Sequence, residues 1–113
     1  MKEIKAIIRP FKYDDVITAL HKIKGLPGIT ISEIKGIGKC KDDMKEDIIR
    51  EGLHDFSKKI KLELVVRDEM IDEVIETIQT IAHTGNTGDG KIFVIDVKDV
   101  IKIRTNEHGE IAI

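Results

Sequence analysis

The stretch Thr84-Gly85-Asn86-Thr87-Gly88-Asp89-Gly90-Lys91 holds the residue types best suited to chemistry in this chain. Its three glycines let backbone N–H groups turn toward one point, which is how a main chain cradles an anion. Lys91 sets a cation beside them, and Asp89 can orient a ribose hydroxyl, a loop amide or Lys91 itself. The GxxxxGK[ST] spacing of a Walker A loop is absent, and the stretch enters a strand instead of a helix. On spacing alone, a tight turn with a helix C-cap at Gly85 is the plainer reading.

Two further groups suit phosphates. Lys102 and Arg104 are two apart, so on a strand they project from one face while Ile101 and Ile103 pack inward. An Arg fork grips two oxygens and a Lys adds a point charge. A solvated edge strand is again the plainer reading, since edges commonly carry Lys. Gly36-Ile37-Gly38-Lys39 permits close backbone approach and offers a cation, yet by itself it is a hinge. Cys40 and His54 are candidate soft-metal ligands, but two scattered ligands do not make a structural zinc site. No Ser or Cys is paired with His at a recognisable spacing, which argues against an enzyme. Slow ATP hydrolysis around Glu63, Asp89 and Lys91 is the catalytic alternative.

The elements that must position these groups follow from periodicity. Residues 2–9 read as a strand with Ile4, Ala6 and Ile8 on one face and Lys5 and Ile7 on the other. Asp14 is placed to cap a helix whose stripe is Val16, Leu20 and Ile23. Residues 29–37 form a second strand. Ile60, Leu62, Leu64 and Val66 mark one face of a third, with Lys61 and Glu63 on the other. Asp68 is placed to cap a second helix with Ile71, Ile75, Ile78 and Ala82 as its buried stripe. Residues 91–97 are apolar on both faces, which predicts a central strand. Residues 100–104 read as a last short strand before a polar tail to Ile113. Between the second and third strands, residues 38–57 form a long charged loop, and Met44, Ile48, Arg50 and Leu53 are its candidate partner contacts.

The order is βαββαβ in one α+β domain over 1–113, a ferredoxin-like sandwich with a long loop between strands 2 and 3. The helices cover one sheet face. Ile7, Ile31, Val65 and Ile95 are expected on the other, and an uncovered apolar face predicts oligomerisation. With no Trp, one Tyr and three Phe, the core must be aliphatic. Nineteen basic against twenty-one acidic residues give no global pull toward nucleic acid or an anionic membrane. No apolar run reaches the ~20 residues of a membrane span, and the opening lacks the apolar stretch of a signal peptide. The expectation is a cytoplasmic protein. Cys40, the single cysteine, excludes an internal disulfide.

Three segments taken in order resemble the P-II family of nitrogen and carbon regulators. They are Lys2-Glu3-Ile4-Lys5-Ala6-Ile7-Ile8-Arg9-Pro10-Phe11-Lys12, the Thr84–Val94 stretch, and Val100-Ile101-Lys102-Ile103-Arg104-Thr105. The resemblance implies a homotrimer binding ATP or ADP, with Mg²⁺ possible, in clefts between subunits. It implies that Gly88, Gly90 and Lys91 hold phosphates within the Thr84, Gly85 and Asp89 loop, with Lys39 at the base of the long loop beside Gly36, Ile37 and Gly38. Lys102 and Arg104 of the neighbouring chain would hold them from the other side. Ile7, Gly36, Glu63 and Val65 would lie near adenine and ribose. The 38–57 loop would then change conformation with the nucleotide and act on a protein target.

The chain also departs from that pattern. Cys40 stands where the family usually has a Gln that helps hold Mg²⁺ and 2-oxoglutarate, although Lys59 matches the lysine that pairs with the 2-oxoglutarate carboxylate. A neutral thiol is a poor ligand for a hard cation, which argues against 2-oxoglutarate sensing. Gly52 falls where many members carry a modifiable tyrosine. Leu20–Gly28 and Ala82–Asn86 resemble a divergent branch associated with heavy-metal efflux pumps. That implies a membrane transporter or its regulator as partner, with Cys40 and His54 as the metal-binding alternative.

Overall fold

The computed structural model describes residues 1–38 and 56–113; Lys39, Cys40, Met44, Ile48, Arg50, Leu53 and His54 lie outside them. The elements run β1 (Lys2–Ile8), α1 (Tyr13–His21), β2 (Thr30–Gly36), β3 (Ser57–Val66), α2 (Ile71–Ala82) and β4 (Lys91–Asp96). The sheet is antiparallel throughout, in the order β2-β3-β1-β4. This is the ferredoxin-like α+β arrangement expected from the sequence.

Strict alternation in β1 and β3 produces the two-faced sheet. Ile4, Ala6, Ile8, Ile60, Leu62, Leu64 and Val66 are buried under the helices, against Val16, Leu20 and Ile23 from α1 and its end, and Val74, Ile78 and Ala82 from α2. The core is wholly aliphatic. α2 is rotated slightly from its expected stripe: Val74 is buried, while Ile71 and Ile75 stand half-buried at its margin.

Neither expected Asp cap forms. Asp14 and Asp15 lie in the first turn of α1, where they complement the helix dipole instead. Asp68 belongs to a single 3-10 turn before α2, and its carboxylate takes the N-terminal ammonium at 2.9 Å.

Three expectations about the sheet are corrected. β4 is an edge strand, not a central one; Phe93, Val94 and Ile95 are 44, 47 and 39% exposed. Apolar residues on both faces signal that both faces are meant to be covered, not where the strand sits in its own chain. Ile31 pairs with Leu62, so it belongs to the helix-side face. Residues 100–104 join no sheet. They form one arm of a small hairpin bridged at Ile101↔His108, and Ile103 does not pack inward but is 99% exposed in its turn.

Candidate functional site

Antiparallel pairing gathers four strand ends at one end of the sheet. β1 finishes at Ile8 and β2 at Gly36, while β3 begins at Ser57 and β4 at Lys91. Ile7, Gly36, Lys59 and the Thr84–Lys91 loop therefore converge. Ile7 stands opposite both Lys61 and Lys91 on the open face. Ile37 and Gly38 follow directly, at the root of the segment leading to Lys39 and Cys40.

The glycine loop is held by one carboxylate. Asp89 accepts hydrogen bonds from the Thr84 amide at 2.8 Å, the Gly85 amide at 2.9 Å, the Thr84 hydroxyl and the Arg9 Nε at 3.0 Å. The Thr84 hydroxyl and amide, with Arg9 and the Gly85 amide, hold the Asp89 carboxyl far below the usual carboxylate range. Of the roles open to it from the sequence, Asp89 therefore takes that of orienting loop amides. The Asn86 amide is spent on the Thr84 hydroxyl at 3.2 Å. The amides of Thr87, Gly88 and Asp89 have no acceptor among the described residues.

Two cations hold the loop by its carbonyls. Arg9 Nη2 donates to Thr87 O at 2.9 Å, and Lys59 Nζ donates to Gly88 O. Gly90 locks the far side. Its φ is +95°, and a Cβ there would lie 1.7 Å from the carbonyl oxygen of Ile7, so only glycine lets the loop return to β1 so closely. Lys91 has no ion-pair partner among the described residues and remains available to an anion.

The remaining predicted residues lie elsewhere. Glu63 and Val65 share the open face, but Val65 stands opposite Glu3 while Ile7 stands opposite Lys61. Four residues of strand, about 13 Å, separate those levels. There a cleft of about 360 Å³ is lined by Glu3, Gly28, Thr30, Glu63, Val65 and Val100, among others. Contact with Glu3 and then with Lys61, at 3.3 Å, lowers the Glu63 carboxyl from its ordinary value.

Val97 donates to Met1 O at 3.2 Å, so the chain leaves the sheet at this second end. Lys102 and Arg104 then sit on the hairpin. It is closed by Lys102 N–H to Glu107 O at 2.9 Å and by the Asp99 carboxylate, which binds the Val100 and Gly109 amides and His108 Nδ1. Lys102 lies 3.9 Å from Glu107. Among the described residues, no contact joins Lys102 or Arg104 to the glycine loop.

Sequence reasoning missed Arg9 and Thr30. Arg9 could have been found as a lone cation between a strand and a proline, a position that keeps its side chain beside the strand ends. Thr30 carried no signal, since only the β2–β3 register sets it beside Glu63.

Comparison with known proteins gives one consistent result. Residues 1–107 match the family described as nitrogen regulatory protein P-II. The chain is 49% identical to nitrogen regulatory protein P-II of Azospirillum brasilense and 50% identical to that of Rhodospirillum rubrum, over 113 residues and the full length of both chains in each case. It is 48% identical, over the same span, to nitrogen regulatory protein P-II 1 of Escherichia coli K12.

Proposed function

Because the chain belongs to the P-II family of regulatory signalling proteins, we propose that it is a nucleotide sensor in which ATP or ADP occupies clefts between the subunits of a homotrimer. One observation carries this reading. The anion-holding groups form two sets at opposite ends of one sheet: the Thr84–Lys91 loop with Ile7 and Gly36, and the Lys102–Arg104 hairpin with Glu63 and Val65. Among the described residues, neither set encloses a polyphosphate. A second copy bringing its hairpin to the first copy's loop completes the site.

The open sheet face supplies the reason to associate. Ile7, Ile34, Val65, Phe93 and Ile95 share that face by register, opposite the face that α1 and α2 cover. Burying them is favourable at about 25 cal/mol per Å² of apolar area.

Nucleotide occupancy would be read out through the 38–57 loop, whose roots are the ends of β2 and β3 beside the glycine loop. Met44, Ile48, Arg50 and Leu53 would meet the target, a membrane transporter or its regulator. Lys59 holds Gly88 O, so pairing with a 2-oxoglutarate carboxylate would require it to release that carbonyl. Together with Cys40 at the usual Gln position, this leaves nucleotide as the main input.

Isothermal titration with ATP and with ADP, each with and without Mg²⁺ and 2-oxoglutarate, tests the reading. One site per chain with no gain from 2-oxoglutarate supports it; strong synergy restores 2-oxoglutarate as a ligand, and binding of neither nucleotide removes the proposal. Mixing then tests the shared cleft. Trimers of Lys91→Ala chains alone or Arg104→Ala chains alone should bind weakly, whereas refolded mixtures should regain full-affinity sites that combine an intact loop with an intact hairpin.

A further inference from the structure

A peptide unit points its C=O and its N–H in opposite directions. Whatever grips the carbonyl therefore aims the amide of the next residue. Here two cations grip two consecutive carbonyls, Arg9 that of Thr87 and Lys59 that of Gly88. The amides so aimed are those of Gly88 and Asp89, and neither has an acceptor among the described residues.

Both cations rise from adjacent central strands, one step beyond the Ile8↔Ile60 pair, so both carbonyls are drawn to the same side. Gly88, at φ +102°, allows the turn between them. Asp89 completes the hold from behind, since the same Arg9 guanidinium donates Nε to its carboxylate.

Resting on the nucleotide reading above, we infer that Arg9 and Lys59 are positioning residues of the anion cradle: they act on phosphate through the loop's carbonyls, by holding the Gly88 and Asp89 amides aimed at it before any ligand arrives. A cradle set in advance binds without the cost of ordering it. Arg9 is only half-buried and its fork is divided between Asp89 and Thr87, which a lysine could not match.

The test compares wild type, Arg9→Met, Lys59→Met and Lys59→Arg. Titrations use ATP and adenosine, and amide ¹H–¹⁵N spectra are recorded without ligand. In each Met variant ATP affinity should fall about tenfold or more while adenosine binds as before. The ligand-free Gly88 and Asp89 amide signals should be displaced, and Lys59→Arg should restore both properties. Unchanged ATP affinity in the two Met variants would sink the inference. So would equal losses for ATP and adenosine, or a loss of ATP affinity with unmoved amide signals, which would make the cations direct ligands. A Met variant that melts well below wild type is set aside in favour of the other. Wild type that binds no ATP would instead overturn the nucleotide reading, and this inference with it.

Discussion

The two ends of the sheet hold their candidate anion-binding residues in opposite ways. At one end the glycine loop is finished within its own chain. A carboxylate, two cations and a glycine packed on a backbone carbonyl hold it. At the other end the hairpin is closed on itself by Asp99 and holds its cations out on a turn, with Ile103 almost wholly exposed. Among the described residues, none covers the Ile that stands between Lys102 and Arg104.

The largest expected break is Gly90→Ala. The new Cβ meets Ile7 O, a backbone atom that cannot swing aside, at a positive φ that disfavours any side chain. The loop must lift from β1. We expect a loss of stability on the order of 1–3 kcal/mol by urea unfolding and ATP affinity weakened about 100-fold or more by titration. Near-normal ATP binding would mean that the cradle does not depend on the loop's seat on β1.

Ile103→Asp probes the other end. Because no described residue covers Ile103, the subunit's own fold should change by less than about 0.5 kcal/mol. Subunit association, measured by sedimentation at falling concentration, should weaken about tenfold or more if a second copy covers that side chain. Unaltered association would detach the hairpin from the interface.

The smallest effect is one of pH. The folded-state pKa of Asp89 is depressed, chiefly by the Thr84 hydroxyl and amide. Its contribution to stability is therefore complete above the ordinary carboxylate value near 3.8 and is lost as pH falls below it toward the lower folded value. Asp89→Asn should be less stable than wild type at pH 6, and the gap should shrink as pH drops below about 4. A gap that is constant with pH would show that the clasp does not depend on the charge of Asp89. Asp99 is depressed in the same direction, with His108 as its main partner, so the hairpin's clasp should loosen in the same acid window.

Much of this was legible in the residues. The alternation of Ile4, Ala6 and Ile8, and of Ile60, Leu62, Leu64 and Val66, specified two half-buried strands because side-chain period in a strand is two. The stripe of Val16, Leu20 and Ile23 specified a helix for the corresponding reason at 3.6. The glycines at 85, 88 and 90 marked a loop with unusual backbone angles, and all three have positive φ.

What the residues alone could not decide was adjacency. That β4 is an edge strand, that Ile31 shares the helix-side face, and that Arg9 and Lys59 meet at the glycine loop all depend on which strands pair and in what register. Those are long-range choices settled by packing of the whole sheet, which local periodicity does not encode. For the same reason the sequence could nominate Lys91 and Arg104 together as phosphate ligands. Only the folded chain placed the glycine loop and the C-terminal hairpin at opposite ends of the sheet.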